Sequence, residues 1–337
     1  MAEAAGSGLL KRFCRVLEAT SPADDACIPE GPWIVGFSHG ADSSALLALL
    51  HAYRDRQASP AVLVPIHVDH GLRPGSAAEA RRARNFCEQL GLPCEVHRLG
   101  HGTGESWARQ ERYRIFRERA TSLGATRLYL AHHRDDDLET LLFRLQRGTG
   151  PLGLAGIPAS RSLDPSGGCS TRIHRPLLTF PKALLVDWLE ECRLTWIEDP
   201  SNAQTAHTPR NRIRHQLVPE LRRSPRAWKA LLDLDEEAKR FAACVQRELA
   251  SLQVGETDAQ ALDLPLAPLQ EVLPWAFDRH LSLLLEARGQ PRPSRALLQQ
   301  ARTLLQEALP SGKRVEARGR WRLERRKKSL HLRLLAP

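Results

Sequence analysis

Between positions 33 and 146 the sequence alternates short β-branched or apolar runs with longer segments of helical periodicity, and this alternation restricts the fold more than any other feature. Trp33-Ile34-Val35-Gly36-Phe37 reads as a buried strand, and 44–53 as a helix with Leu46, Leu47, Leu49 and Leu50 on its inner face. A second strand is expected at 61–68 with a helix around 77–90, and a third at 93–99 with a helix across 106–122. A fourth at 127–131 leads into a helix over 136–146. Strands and helices at this spacing build βαβ units and therefore a parallel sheet. Ligands of such sheets bind beyond the carboxyl ends of the strands, which directs attention to the residues that follow each strand.

The remaining chain is less regular. Positions 161–171, with Ser, Gly and Pro, read as a surface loop, and 181–193 as a helix with Pro near its first turn. Beyond 221 the pattern is mostly helical (227–252, 269–287 and 294–308), and 312–334 alternates enough, through Val315, Ala317, Trp321 and Leu323, to predict a terminal hairpin. A length of 337 residues suggests two domains. No run approaches the ~18 apolar residues of a bilayer span, and the start of the sequence is unlike a secretory leader, so a membrane or exported protein is not expected. The 7 cysteines are scattered, with no C-x-x-C pair, which argues for a reducing cytoplasm and against a zinc ribbon.

Charge is unevenly placed. Positions 221–337 hold 22 basic and 14 acidic side chains, a net of +8, which leaves +2 of the total +10 for the first 220. Positions 313–333 hold ten basic residues, Arg320, Arg322, Arg325 and Arg326 among them, against Glu316 and Glu324. Such a run fits a polyphosphate backbone, and it fits a solvated face equally well.

The first strand runs into Ser38-His39-Gly40-Ala41-Asp42-Ser43-Ser44, which opens a helix. Hydroxyls, a glycine and the free amides of a helix start make a phosphate cradle. An Asp inside that cradle needs a divalent cation between itself and the phosphates, so Asp42 implies magnesium; a plain Ser/Asp helix cap is the alternative. The loop has no Lys, and the chain has no G-x-x-x-x-G-K-[ST], which excludes the ordinary NTPase loop. The G-x-G-x-x-G at 148–153 follows a helix instead of a strand and reads as a turn.

The second strand ends in His67-Val68-Asp69-His70-Gly71-Leu72-Arg73 and the fourth in Ala131-His132-His133-Arg134-Asp135-Asp136-Asp137-Leu138-Glu139-Thr140. Acids and imidazoles packed this densely past a buried strand call for a cation or cationic ligand. Asp136 and Glu139 share one helix face. The competing explanation is an acidic first turn that complements the helix dipole.

Taken together these segments resemble a known family. The Ser-rich loop with Asp42 is similar to the S-G-G-x-D-S loop of the ATP pyrophosphatase superfamily, and the other segments resemble the tRNA(Ile)-lysidine synthetase family within it. These are H-V-D-H-G-L-R at 67–73, E-x-x-A-R-x-x-R-Y from Glu105 through Arg109 and Arg112 to Tyr113, and A-H-H-x-D-D-x-x-E-T at 131–140. R-G-T-G-x-x-G-L-x-G-I follows at 147–157, R-P-L-L at 175–178, W-I-E-D-x-S-N at 196–202 and R-N-x-I-R at 210–214. The resemblance covers positions 33–221.

It implies an α/β fold: a parallel-sheet PP-loop ATP pyrophosphatase domain at 31–220, preceded by a helical extension at 1–30. A mainly helical connector and basic tRNA-binding module with a terminal β-hairpin would follow at 221–337. It further implies a cytoplasmic ligase, with no membrane partner, that adenylates the C2 oxygen of the wobble cytidine of tRNA(Ile) bearing a CAU anticodon. Free L-lysine then displaces AMP. Ser38, His39, Gly40, Ala41, Asp42, Ser43 and His67 would hold ATP, with Mg2+ on Asp42. Asp135, Asp136 and Glu139 would take the lysine ammonium, and Asp42, Asp136, Glu139, Asn202 and Arg210 would carry catalysis. Arg109, Arg112, Arg214 and the arginines at 320, 322, 325 and 326 would meet tRNA, and a homodimer is compatible with the family.

One departure stands out: His39 occupies the second loop position, usually glycine. A positive φ there would strain a bulky side chain, and the loop is expected to tolerate it with the ring turned outward. A tRNA-thiolating relative and a non-catalytic RNA-binding protein are the alternatives. The first lacks cysteines near any motif, and the second has no use for Asp42, Asp136, Glu139 and Asn202 together.

Overall fold

The computed structural model describes residues 8–20, 31–57, 61–69, 76–100, 102, 104–164, 170–198, 209–250, 255–258, 261–286, 288–306, 309–317 and 320–335. The chain divides into two compact units, Met1–Ala238 and Lys239–Pro337.

In the first unit β1 (Trp33–Gly36), β2 (Leu63–Asp69), β3 (Glu95–Arg98), β4 (Arg127–Tyr129), β5 (Ser160–Ser162) and β6 (Arg172–His174) form one sheet in the order β3-β2-β1-β4-β6-β5. Every neighbouring pair is parallel except β5 with β6. The chain moves outward from β1 to β3 and then returns to place β4 on the other flank of β1. The connections leaving β1 and β4 therefore diverge, which opens a crevice at the carboxyl edge between them. Positions 161–171, expected as a loop, include the end of β5; its short antiparallel pairing with β6 is too brief to leave a period in the sequence.

Helices cover both faces, which is why β2 is buried along its whole length. α1 (Gly8–Thr20), α2 (Ala41–Arg56), α3 (Ser76–Gln89) and α6 (Lys182–Glu191) share one apolar layer with Trp33 and Val35, through Phe13, Leu46, Phe86 and Trp188. α4 (Glu105–Leu123) lies on the opposite layer, where Tyr113, Ile115 and Phe116 meet Ile34, Ile66 and Leu128. The period of two along β1 thus sends alternate residues to opposite cores. Gly36 closes the strand because a Cβ there would come within 2.7 Å of Leu130 Cδ2 and 3.1 Å of the Phe116 ring.

A third cluster anchors α5 (Arg134–Gln146), whose Leu138, Leu141 and Leu142 pack with Ile213, Val218 and Leu231. Those partners come from a continuous run: α7 (Pro209–Arg212), a π-helical turn at Ile213–Leu217, α8 (Val218–Arg223) and α9 (Pro225–Ala250).

In the second unit β7 (Gly255–Asp258), β8 (Ala261–Pro265), β9 (Arg314–Ala317), β10 (Trp321–Arg325) and β11 (Ser329–Leu334) form an antiparallel sheet in the order β7-β8-β11-β10-β9. The expected hairpin span, 312–334, holds three antiparallel strands, β9, β10 and β11, and it is part of this five-stranded sheet rather than an isolated element. An isolated hairpin is marginal in water, and β8 extends the sheet on the β11 side. α10 (Leu266–Glu271), α11 (Pro274–Glu286) and α12 (Arg295–Thr303) contribute Leu269, Phe277, Leu281 and Leu298 to the core under Trp321, Leu323, Leu330 and Leu332.

Candidate active site

The turn leaving β1 is built by its own hydroxyls. Ser43 Oγ donates to Gly40 O at 3.0 Å, accepts the Ser38 amide at 3.2 Å and lies 3.1 Å from Ser38 Oγ. Gly40 caps α2 in an extended conformation, and the first intrahelical bond is Ser44 N–H to Gly40 O. The amides of Ala41, Asp42 and Ser43 therefore have no intrahelical partner and form the anion-attracting end of the helix.

His39 does adopt a positive φ, 62°, the strained region for a non-glycine residue. Its ring turns inward, not outward, and packs between Phe37 and Phe86 at centroid distances of 5.7 and 5.3 Å. Burial keeps its pKa below the usual imidazole range, which suits an apolar slot. The carbonyl of His39 accepts the Ile197 amide at 2.9 Å, so the strained turn is tied to the segment that follows α6. His67, at the end of β2, places Nδ1 3.1 Å from Phe37 O; a carbonyl only accepts, so Nδ1 carries the proton and Nε2 is the free acceptor. Burial lowers its pKa as well.

Across the crevice, β4 runs into α5 and brings the acids to the same rim. His133 Nε2 lies 3.5 Å from both Asp42 Oδ2 and Asp136 Oδ2, and joins the loop to the acidic helix. Burial would depress the His133 pKa, but Asp42, Asp136 and Asp135 outweigh it and raise the value. Asp42 shows the converse: burial pushes its carboxyl up, while His133 and Lys182 bring it below the usual range. Lys182 Nζ is 3.3 Å from Asp42 Oδ2, and its backbone amide, at the start of α6, donates to Asp135 Oδ2 at 2.7 Å. Asp135 also pairs with Arg222.

Arg214 sits in the π-helical turn and grips Glu139 with two bonds, Nε to Oε1 at 2.7 Å and Nη2 to Oε2 at 2.8 Å, while Nη2 also reaches Asp136 Oδ1 at 3.3 Å. The hydrogen bonds to Glu139 raise the pKa of Arg214 above its ordinary value. Arg210 approaches the same carboxylate at 3.6 Å. Asp137 faces the other way: buried, it accepts the Ile157 amide through Oδ1 at 2.5 Å and so fixes the 147–157 segment against α5. Gly156 has φ 61°, and a Cβ there would fall 2.1 Å from Asp137 Oδ1, which explains a glycine at that position.

The structure therefore gathers Ser38, Asp42, Ser43, Asp135, Asp136, Glu139, Arg210 and Arg214 at one rim. Arg214 is turned toward the acids, so contact with RNA would compete with Glu139. Asn202 and the segment 70–75 lie outside the described residues. Arg320, Arg322 and Arg326 are exposed or half-buried, with Arg322 paired to Glu316 at 2.8 Å and Arg326 to Asp263 at 3.4 Å. Arg325 departs from expectation. It is buried and donates to Leu304 O at 2.5 Å, because its place in β10 points it at the helical layer, so it ties the sheet to α12 and does not face a phosphate backbone.

The sequence reading missed Lys182, Arg222 and the bridging role of His133. Lys182 supplies the lysine that the loop itself lacks, and no spacing rule links it to Asp42, 140 positions away. A magnesium ion suits this arrangement on one observation: Asp42 Oδ1 is buried and has no hydrogen-bond partner. Among the described residues no group of three or more His, Cys, Asp and Glu side chains is arranged to hold a metal by itself, so phosphate oxygens would complete the shell.

A β1 turn with a Ser/Asp cradle at the switch point of a parallel sheet defines a nucleotide-binding α/β domain, and the PP-loop domain family model matches residues 14–221. The chain belongs to the PP-loop family. Within it the likeness runs to the tRNA(Ile)-lysidine synthases. The Pseudomonas aeruginosa protein of that name is 42% identical over 211 residues, 61% of this chain and 45% of that one. The one from Nitratidesulfovibrio vulgaris is 42% identical over 197 residues, covering 56% of this chain and 54% of that protein. The chain thus matches about half the length of these relatives. Among solved structures, the U34-tRNA thiolase NcsA from Methanococcus maripaludis superposes with a TM-score of 0.54 at 17% identity, over 69% of this chain and 80% of that one, a likeness of fold. No helix among the described residues is long and apolar enough to cross a membrane.

Proposed function

We propose that this chain is an ATP-dependent ligase that modifies the wobble cytidine of a tRNA(Ile) with a CAU anticodon, first adenylating the oxygen on C2 with release of pyrophosphate and then joining free L-lysine to C2 as AMP leaves with that oxygen. One observation carries the reading. The phosphate-binding turn and the acids Asp136 and Glu139 share one rim, bridged by His133 and Arg214, so a triphosphate and a cationic amino acid can meet at a single base.

The amides of Ala41, Asp42 and Ser43 and the Ser38 and Ser43 hydroxyls would hold the β- and γ-phosphates, with Lys182 moving from Asp42 to the phosphate oxygens. Magnesium held on Asp42 would supply neutralisation of the phosphate charge. Asp136 and Glu139 would take the lysine ammonium, and a carboxylate there would accept the proton that the amine loses before attack. Arg214 already occupies that position as a cation, so the lysine must share or displace it. His67 would orient the nucleoside side through Nε2, and Asn202 would approach the cytidine.

The test is multiple-turnover AMP formation from ATP with magnesium and tRNA, with and without lysine. The proposal expects AMP to rise with lysine and to need the CAU transcript. RNA binding with no lysine-dependent AMP would make the chain a non-catalytic RNA binder instead.

A further inference from the structure

A second charged cluster lies at the same sheet edge, on the α4 side, and neither the loop nor the acids account for it. β4 and β6 are parallel neighbours, and Leu130 N–H donates to His174 O at 3.0 Å, so His132 and Arg175 leave adjacent strand ends. α4 adds Arg109 and Tyr113 from its first turns, and β5 adds Arg161. The guanidinium carbons of Arg109 and Arg161 lie 5.0 and 5.2 Å from the Tyr113 ring centroid, and Arg109 Nη2 is 3.5 Å from the Tyr113 hydroxyl. Arg175 is only 4% exposed; Nη1 donates to Pro158 O at 2.7 Å, while Nε is buried with no hydrogen-bond partner. His132 Nδ1 is also buried without a partner.

This arrangement is costly for folding alone. A buried guanidinium with an unmet donor loses the hydration of that donor, and neighbouring arginines repel one another at low dielectric. The cost is visible in the protonation equilibria, where burial and the nearby arginines depress the pKa of Arg175, and the same kind of environment takes His132 down to about 4. An anion relieves both. Planar forks stacked on an aromatic ring are pre-oriented for bidentate contact with phosphate oxygens. None of the five side chains is a carboxylate, so nothing in the cluster would hold the metal that a triphosphate brings.

We propose that Arg109, Tyr113, His132, Arg161 and Arg175 form a second phosphate site, separate from the Ser38–Ser43 loop, that takes a phosphodiester of the RNA strand presenting the reacting cytidine. This rests on the RNA-modifying reading above and adds to it a specific anchor beside the acids. Its ligand carries one negative charge and needs no metal, unlike the polyphosphate at the loop.

The experiment uses the full chain with Arg109 and Arg161, both at least partly exposed, changed together to Gln. Binding of the tRNA and of an anticodon stem-loop RNA is measured against salt, alongside the KM for ATP and inhibition by inorganic pyrophosphate. The expected result is a loss of RNA affinity of ~10-fold or more and a salt slope lower by about 0.7, the contribution of one single-strand phosphate. The ATP KM and pyrophosphate inhibition should stay within about 2-fold. Arg175→Lys, which keeps the charge and removes the fork, should reproduce the affinity loss; if its thermal melt shows misfolding, the Arg109/Arg161 variant decides alone. Unchanged RNA affinity and slope would overturn the site, and a raised ATP KM with RNA binding intact would assign the cluster to nucleotide. If the wild-type chain forms no lysine-dependent AMP, the proposed function fails first. If it is active and the variant binds RNA normally, only the second site fails.

Discussion

The sheet rim of the first unit and the polar face of the C-terminal sheet use the same residue types in very different surroundings. At the rim, the Glu139 side chain is 4% exposed and is gripped by Arg214. On the C-terminal sheet, the Arg322–Glu316 pair is 34% and 37% exposed, and Asp263 collects Arg326 and His331 at a similarly open position. Exposed pairs contribute little, about 0–1 kcal/mol, and are free to exchange one partner for another. Buried ones fix geometry and move protonation equilibria. Under the proposed function, the rim would carry the chemistry and the sheet a long-range, sequence-independent attraction to RNA.

The largest effect that would break this contrast belongs to the loop. Asp42→Asn should reduce lysine-dependent AMP formation by ~10³-fold with little change in RNA affinity. A mild loss would remove Asp42 from the chemistry. Glu139→Gln comes next: it should slow the lysine step by on the order of 10². Because it strands Arg214, it should also lower the stability of the first unit by about 1–3 kcal/mol in denaturant melts.

A pH series sharpens the comparison. His132 is held neutral to about pH 4, whereas an unfolded chain takes up that proton near 6.5. The unfolded state therefore binds more protons between those values, and stability should fall as pH drops through that window and level off below it. Urea melts from pH 7 to 4 should show this slope, and His132→Gln should flatten it.

The C-terminal sheet carries the smaller effects. Changing Arg320, Arg322 and Arg326 together to Gln should lower the salt slope of tRNA binding by about 2 and leave the rate at saturating tRNA unchanged. Arg325→Gln should do the reverse, with an unchanged slope and a less stable second unit, because its guanidinium serves Leu304. Smallest of all, His39→Gly should leave AMP formation within a few-fold. The ~1 kcal/mol of backbone strain it relieves is offset by the lost packing on Phe37 and Phe86.

What the sequence made legible follows from how local each signal is. β1, β2 and the helix between them were readable because continuous burial leaves apolar runs of fixed length. The Ser38–Ser43 turn was readable because one strand, one turn and one helix start lie side by side in the chain. Lys182, Arg222 and the Arg214–Glu139 grip were not, since each joins segments that only the fold brings together. β5 was too short to show a period, and β7 and β8, which lie outside the expected terminal hairpin, were hidden by the more conspicuous helices around them. His39 shows a subtler limit. The sequence predicted strain at that position, but the direction of the ring depended on Phe86, a residue of a different helix.

The central claim is that one rim carries a base through both steps, and single-turnover labelling tests it most directly. With ATP labelled at the α-phosphate and no lysine, the wild-type chain should place label on the tRNA, and added lysine should chase it to free AMP as one lysine enters each tRNA. Label that never reaches the RNA, or that lysine fails to release, would contradict the account.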